Sequence, residues 1–82
     1  LNRESGDGFS DILIRTNDYS LGIVIELKYS SSGKEEEDCV KALQQIDDKR
    51  YTEPLRKEGF HRILKYGAAC YVKHCKMLLK VD

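Results

Sequence analysis

The chain has 82 residues, enough for one small domain with one small core. Apolar residues make up 40% and charged residues 34%, a globular balance that excludes a disordered or fibrous chain. Fourteen basic and fourteen acidic side chains cancel, which excludes a uniformly basic nucleic-acid binder, and no apolar run is long enough to span a membrane.

The charge is unevenly spread. Residues 1–38 carry nine acids and four bases, a net −5, and the remainder carries +5. That asymmetry allows an acidic site beside a basic surface. The opening Leu1-Asn2-Arg3-Glu4 has neither a signal-peptide pattern nor an initiator Met, so a fragment or processed chain is expected. Cys39, Cys70 and Cys75 show no C-x-x-C spacing and are too few for a disulfide framework. Cys39 and Cys70 fall in apolar patterns and read as core residues. The odd count suits a reducing cytoplasm.

Residues 9–16 read as a strand entered through a Gly6-Asp7-Gly8 turn, and residues 1–5 as the end of an earlier strand. Residues 17–20 are a turn and residues 22–29 a second β-branched strand, together a hairpin. Ser30 to Gly33 breaks the strand. Ser32 and Glu35 form a capping box for a helix running to Tyr51 or Thr52. The acids Glu35, Glu36, Glu37 and Asp38 fill its first turn, where the helix dipole favours them. Cys39, Ala42, Leu43 and Ile46 mark its buried face. Pro54 breaks or restarts the helix, and residues 55–58 give one further turn closed by Gly59. Residues 67–72 read as a strand, residues 73–76 as a turn and residues 77–81 as a last strand. The order is β-β-α-β-β.

Glu26-Leu27-Lys28 is the most informative triplet. Side chains alternate along a strand, so Glu26 and Lys28 share one face and Ile23, Ile25, Leu27 and Tyr29 the other. Taken alone, an E-x-K reads as a solvated strand face with a cross-strand ion pair. Asp11 changes this, because Asp11 and Glu26 are nearly equidistant from the hairpin turn and come opposite each other. Two carboxylates and a lysine on one patch suit magnesium, which keeps several waters and takes one or two carboxylates. Such a lysine orients or deprotonates a water, or stabilises charge on a phosphate. Gln45 and Lys49 fall on one flank of the helix's buried stripe. By itself Gln45 also fits an ordinary boundary position. His61 and His74 lack metal-ligand spacing and read as surface residues.

Asp11, then Glu26-Leu27-Lys28, then a helix carrying Gln45, resembles the PD-(D/E)XK nuclease superfamily. Residues 2–11, the stretches 42–46 and 49–51, and Lys65 to Ala69 resemble more closely the nuclease-like domain found C-terminal to an AAA-ATPase-like domain in many bacterial proteins. The resemblance covers nearly the whole chain, read as a single nuclease-like domain over residues 1–82. It implies an α/β (α+β) restriction-endonuclease-like αβββαβ core, here N-terminally truncated, with a mixed sheet and one main helix. It implies that Asp11 and Glu26 hold a divalent metal, Mg²⁺ or Mn²⁺, that Lys28 positions or activates the attacking water, and that Gln45 supports the lysine and water or touches DNA. Glu4 is the weakest match to an upstream glutamate of the superfamily. Ser10 stands where proline is common, and Phe9 where arginine is. The first helix is missing from the pattern, which leaves apolar sheet surface open to self-association.

The expected activity is Mg-dependent hydrolysis of phosphodiester bonds in nucleic acid, with the basic half, Lys49 and Arg50 together with Arg56, Lys57 and Arg62, binding its backbone. The alternative is a catalytically silent binding or assembly module of a larger ATPase-containing protein.

Overall fold

A computed structural model describes residues 3–4, 9–30 and 33–82. In chain order the elements are β1 (Arg3–Glu4), β2 (Phe9–Arg15), β3 (Gly22–Tyr29), α1 (Glu35–Asp48), α2 (Glu53–Glu58), β4 (Ile63–Tyr71) and β5 (His74–Val81). The sheet follows chain order, β1-β2-β3-β4-β5, with β3–β4 parallel and the other pairs antiparallel. The result is an α+β fold, a mixed sheet with helices, consistent with a restriction-endonuclease-like core.

β2 and β3 form the expected hairpin. Its turn is closed by the Thr16 amide donating to the Leu21 carbonyl at 3.1 Å and the Leu21 amide donating to Thr16 Oγ1 at 3.0 Å. Tyr19 takes a left-handed backbone (φ 62), and its ring packs on Phe60 with centroids 5.3 Å apart. The closed turn fixes the register, so Asp11 pairs with Glu26 and Leu13 with Val24. β1 adds two residues beside β2, with Arg3 opposite Asp11. The expected Gly6-Asp7-Gly8 turn lies outside the described residues.

Helix α1 begins at Glu35 with Lys34 as its N-cap, and no side chain caps it. Glu35 is therefore the first helical residue rather than the third, and the capping box expected from Ser32 does not hold; Ser32 itself lies outside the described residues. All four acids stand in the first turn, as expected. The helix stops at Asp48, earlier than its apolar spacing implies. Arg50 adopts a left-handed backbone (φ 55), its amide donates to the Asp47 carbonyl, and the Tyr51 amide donates to the Ile46 carbonyl, both at 3.1 Å. This pair of bonds is a Schellman closure, here with arginine where glycine is usual. α2 starts with Pro54 in its first turn, where the missing amide costs nothing, and ends at Gly59 (φ 107).

Both helices sit on one face of the sheet. Val24, Ile46, Leu55, Phe60 and Ile63 form the core cluster, with Leu13, Leu43 and Tyr51 packed against it. The close approach of α1 to β4 depends on Gly67: a Cβ there would stand 2.2 Å from the Cys39 carbonyl oxygen and 2.8 Å from Leu43 Cγ. Lys65, 3% exposed on the same face, donates to Asp47 at 2.8 Å and pairs with Asp82 at 3.0 Å. Burial pulls its pKa down, but these carboxylates outweigh it and hold the ammonium above its usual value.

The opposite face carries Ile12 and Ile14 of β2, Ile23, Ile25, Leu27 and Tyr29 of β3, and Met77, Leu79 and Val81 of β5. The side chains that β3, β4 and β5 place on this face are all uncharged, and Tyr29, Leu79 and Val81 are more than half exposed.

The C-terminal strands depart from expectation. The turn is Val72-Lys73, not residues 73–76, so β4 and β5 are both longer than the sequence suggests. Val72 is β-branched yet has φ 54, a turn residue that propensity argues against. The shift makes Cys70 and Cys75 cross-strand partners, and they form a disulfide. Cys70 is therefore a bonded, half-buried residue rather than a core thiol. The expectation that Cys70 is a core thiol is corrected, and the odd cysteine count no longer argues for a reducing compartment. Cys39 is fully buried as expected, and its thiol donates to the Lys76 carbonyl at 3.2 Å. No helix of the described residues is long and apolar enough to cross a membrane.

Candidate active site

Asp11 and Glu26 are direct partners in the β2–β3 ladder. Side chains of opposed residues leave the sheet on the same face, with Cβ atoms about 5 Å apart. Lys28, two residues beyond Glu26, emerges on that face too. It is the face that carries the helices, since Val24 and Glu26 alternate with the partly exposed Ile23, Ile25 and Leu27. Glu26 is only 1% exposed, whereas Asp11 and Lys28 are partly exposed. The next residues across the ladder are Gly67 opposite Glu26 and Ala69 opposite Lys28. Their small size lets the α1 backbone press down beside the carboxylate and wall it from water.

The flank of α1 that faces this pair follows from what the other flank does. Glu36 bonds Lys76 on β5 at 2.9 Å, and Asp47 bonds Lys65 on β4 at 2.8 Å. At roughly 100° per residue, Asp38, Gln45 and Lys49 lie on the opposite flank, toward β3 and β2. Gln45 is part-buried there and Lys49 exposed. Asp38 is 6% exposed, unlike its solvated neighbours Glu36 and Glu37, so the acidic run is not uniformly a solvent face.

The Schellman closure folds Tyr51 back over the same region. Burial pushes its phenol pKa up, and the charges of Asp11 and Glu26 push it further, while the ammonium and hydrogen bond of Lys49 act the other way. The Tyr51 hydroxyl thus stands within electrostatic reach of both carboxylates. Sequence reasoning placed Tyr51 at a helix end and in the stretch 49–51 of the family resemblance, without a role in the site. The available signal was the five-residue spacing from Ile46, which matches the apolar contact that accompanies a Schellman closure.

Arg50 is not part of this group. Its side chain is 78% exposed and pairs with Glu53 at 3.6 Å. His61 and His74 are exposed, as expected. Glu4 pairs with Ser10 along the edge ladder.

Among the described residues, no three His, Cys, Asp or Glu side chains are arranged to hold a metal. A pair of carboxylates fits a different requirement, that of a hard cation which keeps most of its waters, as Mg²⁺ does. A carboxylate buried to the extent of Glu26 needs compensating positive charge to remain ionised. Lys28 and a divalent cation are the two sources that this donor set suits.

The family model of the PD-(D/E)XK nuclease superfamily matches residues 1–79. The chain belongs to that superfamily. Its members generally use divalent metal ions, and a nucleic acid is the substrate that superfamily membership implies. No curated protein and no solved structure matches the chain.

Proposed function

We propose that this superfamily member hydrolyses phosphodiester bonds of DNA with Mg²⁺ (or Mn²⁺) held by Asp11 and Glu26. The observation that carries the reading is the direct pairing of Asp11 with Glu26, with Lys28 on the same face. When bound, the cation supplies Lewis-acid polarisation of the phosphate and a more acidic water. Glu26, walled by α1, holds its carboxylate in a fixed position, while Asp11 sits nearer solvent on the substrate side. Lys28 orients the attacking water or meets charge that builds on the phosphate. Gln45 supports Lys28 and the water from the helix flank. Lys49 and Arg50 meet the sugar–phosphate backbone beyond the end of α1.

By its resemblance, the domain works beside an AAA-ATPase-like domain of a bacterial protein. The apolar side chains that β3 and β5 expose on the open sheet face support self-association with a second copy. A four-strand face of about 20 × 20 Å suits face-to-face sheet packing near 10 Å separation; it buries about 800 Å² in total, below the range of stable interfaces, so the expected association is weak. A strictly monomeric species at high micromolar concentration in sedimentation would count against it.

The deciding experiment is a Mg²⁺-dependent cleavage assay on the full-length chain. Cleavage is expected for the wild type and none for Lys28→Ala. Equal cleavage by both would overturn the nuclease reading, and no cleavage by either would favour the assembly module.

A further inference from the structure

We infer that the Cys70–Cys75 disulfide is a site of thiol–disulfide exchange, taken by a dithiol reductant, and that its state sets how firmly the first turn of α1 is seated. The inference is independent of the nuclease reading above. It starts from the register of the last hairpin. The Asp82 amide donates to the Ile63 carbonyl at 3.1 Å, one step beyond the Leu64–Val81 pair. Hydrogen-bonded and non-hydrogen-bonded pairs alternate along an antiparallel ladder, so Cys70 and Cys75 form a non-hydrogen-bonded pair, where opposed side chains come closest. The disulfide between them spans five residues of sequence. The loop it closes is short, so the bond removes little entropy from the unfolded chain, and the rest of the ladder still holds β5 to β4 without it. Cys75 is exposed and Cys70 half-buried, both on the sheet face opposite the helices. A thiolate therefore reaches the bond without unfolding the domain. One thiolate of the dithiol attacks Cys75 Sγ, the Sγ–Sγ bond breaks, and its electron pair leaves on Cys70, which takes a proton. The second thiol of the reductant then attacks the reductant's own sulfur in the mixed disulfide and releases Cys75 as a thiolate, which is protonated in turn. The reductant ends as a disulfide, and its two electrons reside on Cys70 and Cys75.

The bond lies one residue from the contacts that tie β5 to α1. The Lys76 carbonyl accepts a hydrogen bond from Cys39 Sγ at 3.2 Å, and the Lys76 ammonium donates to Glu36 at 2.9 Å. Cys39 is fully buried under these contacts. Lys76 pairs with Ala69 and Ala69 with Lys28, so the same row of the sheet carries the lysine of the candidate site. Between the two cysteines the chain turns at Val72-Lys73, with Val72 at φ 54. A β-branched residue holds a left-handed backbone only where its surroundings enforce it. The disulfide is the covalent part of that enforcement. Its loss lets the turn relax and the start of β5 fray, so that Lys76 leaves α1 and Cys39 is uncovered. Reducing surroundings keep the pair as thiols and oxidising ones as the disulfide, so the hairpin responds to the thiol balance around the protein.

The test uses the full-length chain, oxidised and after dithiothreitol and desalting, and the variant Cys70→Ser/Cys75→Ser, which opens the hairpin without a reductant. Iodoacetamide labelling under native conditions is read cysteine by cysteine by mass spectrometry. In the oxidised chain Cys39, Cys70 and Cys75 are all expected to resist labelling. Dithiothreitol without denaturant is expected to open the bond, so that Cys70 and Cys75 label, while thermal unfolding stays cooperative at a lower midpoint. Cys39 is expected to label about tenfold faster in the reduced chain and in Cys70→Ser/Cys75→Ser than in the oxidised chain, the mark of a local opening. A bond that dithiothreitol opens only after urea has unfolded the chain overturns the proposal, because the bond is then a structural clamp. Loss of cooperative unfolding in Cys70→Ser/Cys75→Ser overturns it for the same reason. An equal Cys39 rate in all three samples, or a rise no larger than the loss of global stability, overturns the coupling to α1. Two thiols that stay reduced in oxidised glutathione overturn the exchange site itself.

Discussion

Gly67 lies directly beneath the Cys39 carbonyl, so close that a Cβ on Gly67 would stand 2.2 Å from the oxygen. The contact is backbone on backbone, and neither side has a flexible end to move away. Gly67 is also the ladder partner of Glu26, so the same contact seats α1 next to the buried carboxylate. Gly67→Ala should therefore lift α1 and destabilise the fold by about 3 kcal/mol or more, beyond the usual range for an added methyl group. Chemical denaturation measures it; a loss under 1 kcal/mol would mean that α1 does not rest on β4 as described.

Removing Asp11 separates metal binding from folding. Asp11→Ala deletes one of two crowded carboxylates, and the metal-free protein should become slightly more stable. Wild type should gain about 2.7 kcal/mol at a Mg²⁺ concentration 100 times its dissociation constant. Asp11→Ala should lose most of that gain along with cleavage. Thermal melts with and without Mg²⁺ measure both, and an undiminished Mg²⁺ effect in the variant would exclude Asp11 as a ligand.

Acid should weaken the fold through Asp82. The hydrogen bond from Arg56 is the largest influence on its carboxyl, and Lys65 adds to it; together they hold the pKa below the usual carboxylate value. The folded-state value is depressed, so the associated stability is present above the unfolded value near 4 and is lost as pH falls through the folded one. Asp82→Asn should cost about 1–3 kcal/mol at pH 7, because Lys65 stays buried with Asp47 alone. The variant's stability should also fall less steeply than that of wild type between pH 4 and lower pH. Parallel slopes in urea titrations across that range would remove Asp82 as the cause.

Arg50 combines strain with a surface charge. Arg50→Gly relieves the left-handed backbone and adds flexibility to the unfolded chain, two effects of opposite sign. The net expected effect is a gain of about 0.5 kcal/mol. If Arg50 meets the DNA backbone, the same variant should bind DNA more weakly and lower the slope of log K against log salt by about 0.9. An unchanged slope would show that Arg50 only closes the helix.

The β2–β3 hairpin was legible because two signals agreed. Strong alternation marked both strands, and the polar turn between them set a register that put Asp11 opposite Glu26. The end of α1 was less legible. Lys49, Arg50 and Tyr51 all tolerate helix, and only a left-handed backbone at Arg50, unusual for arginine, stops it at Asp48. The last hairpin was misplaced for a related reason. Lys73-His74-Cys75-Lys76 is polar enough for a turn, but tertiary pairing turns the chain at Val72-Lys73 and brings Cys70 to Cys75. The burial of Asp38 and the position of Tyr51 escaped notice because they depend on which flank of α1 meets the sheet, which only three-dimensional contacts decide.

The parallel pairing of β3 with β4 has a kinetic consequence. The β2–β3 and β4–β5 pairs are local hairpins, of the kind that forms in about 1–10 μs. Joining them requires closing the whole crossover through α1 and α2, a slower step dominated by loop entropy. Asp11 and Glu26 both belong to the first hairpin, so their carboxylates meet before α1 arrives to cover them. Divalent cations present during refolding would meet this pair while it is still open to solvent, and would speed the docking of α1 only to the extent that they relieve its crowding.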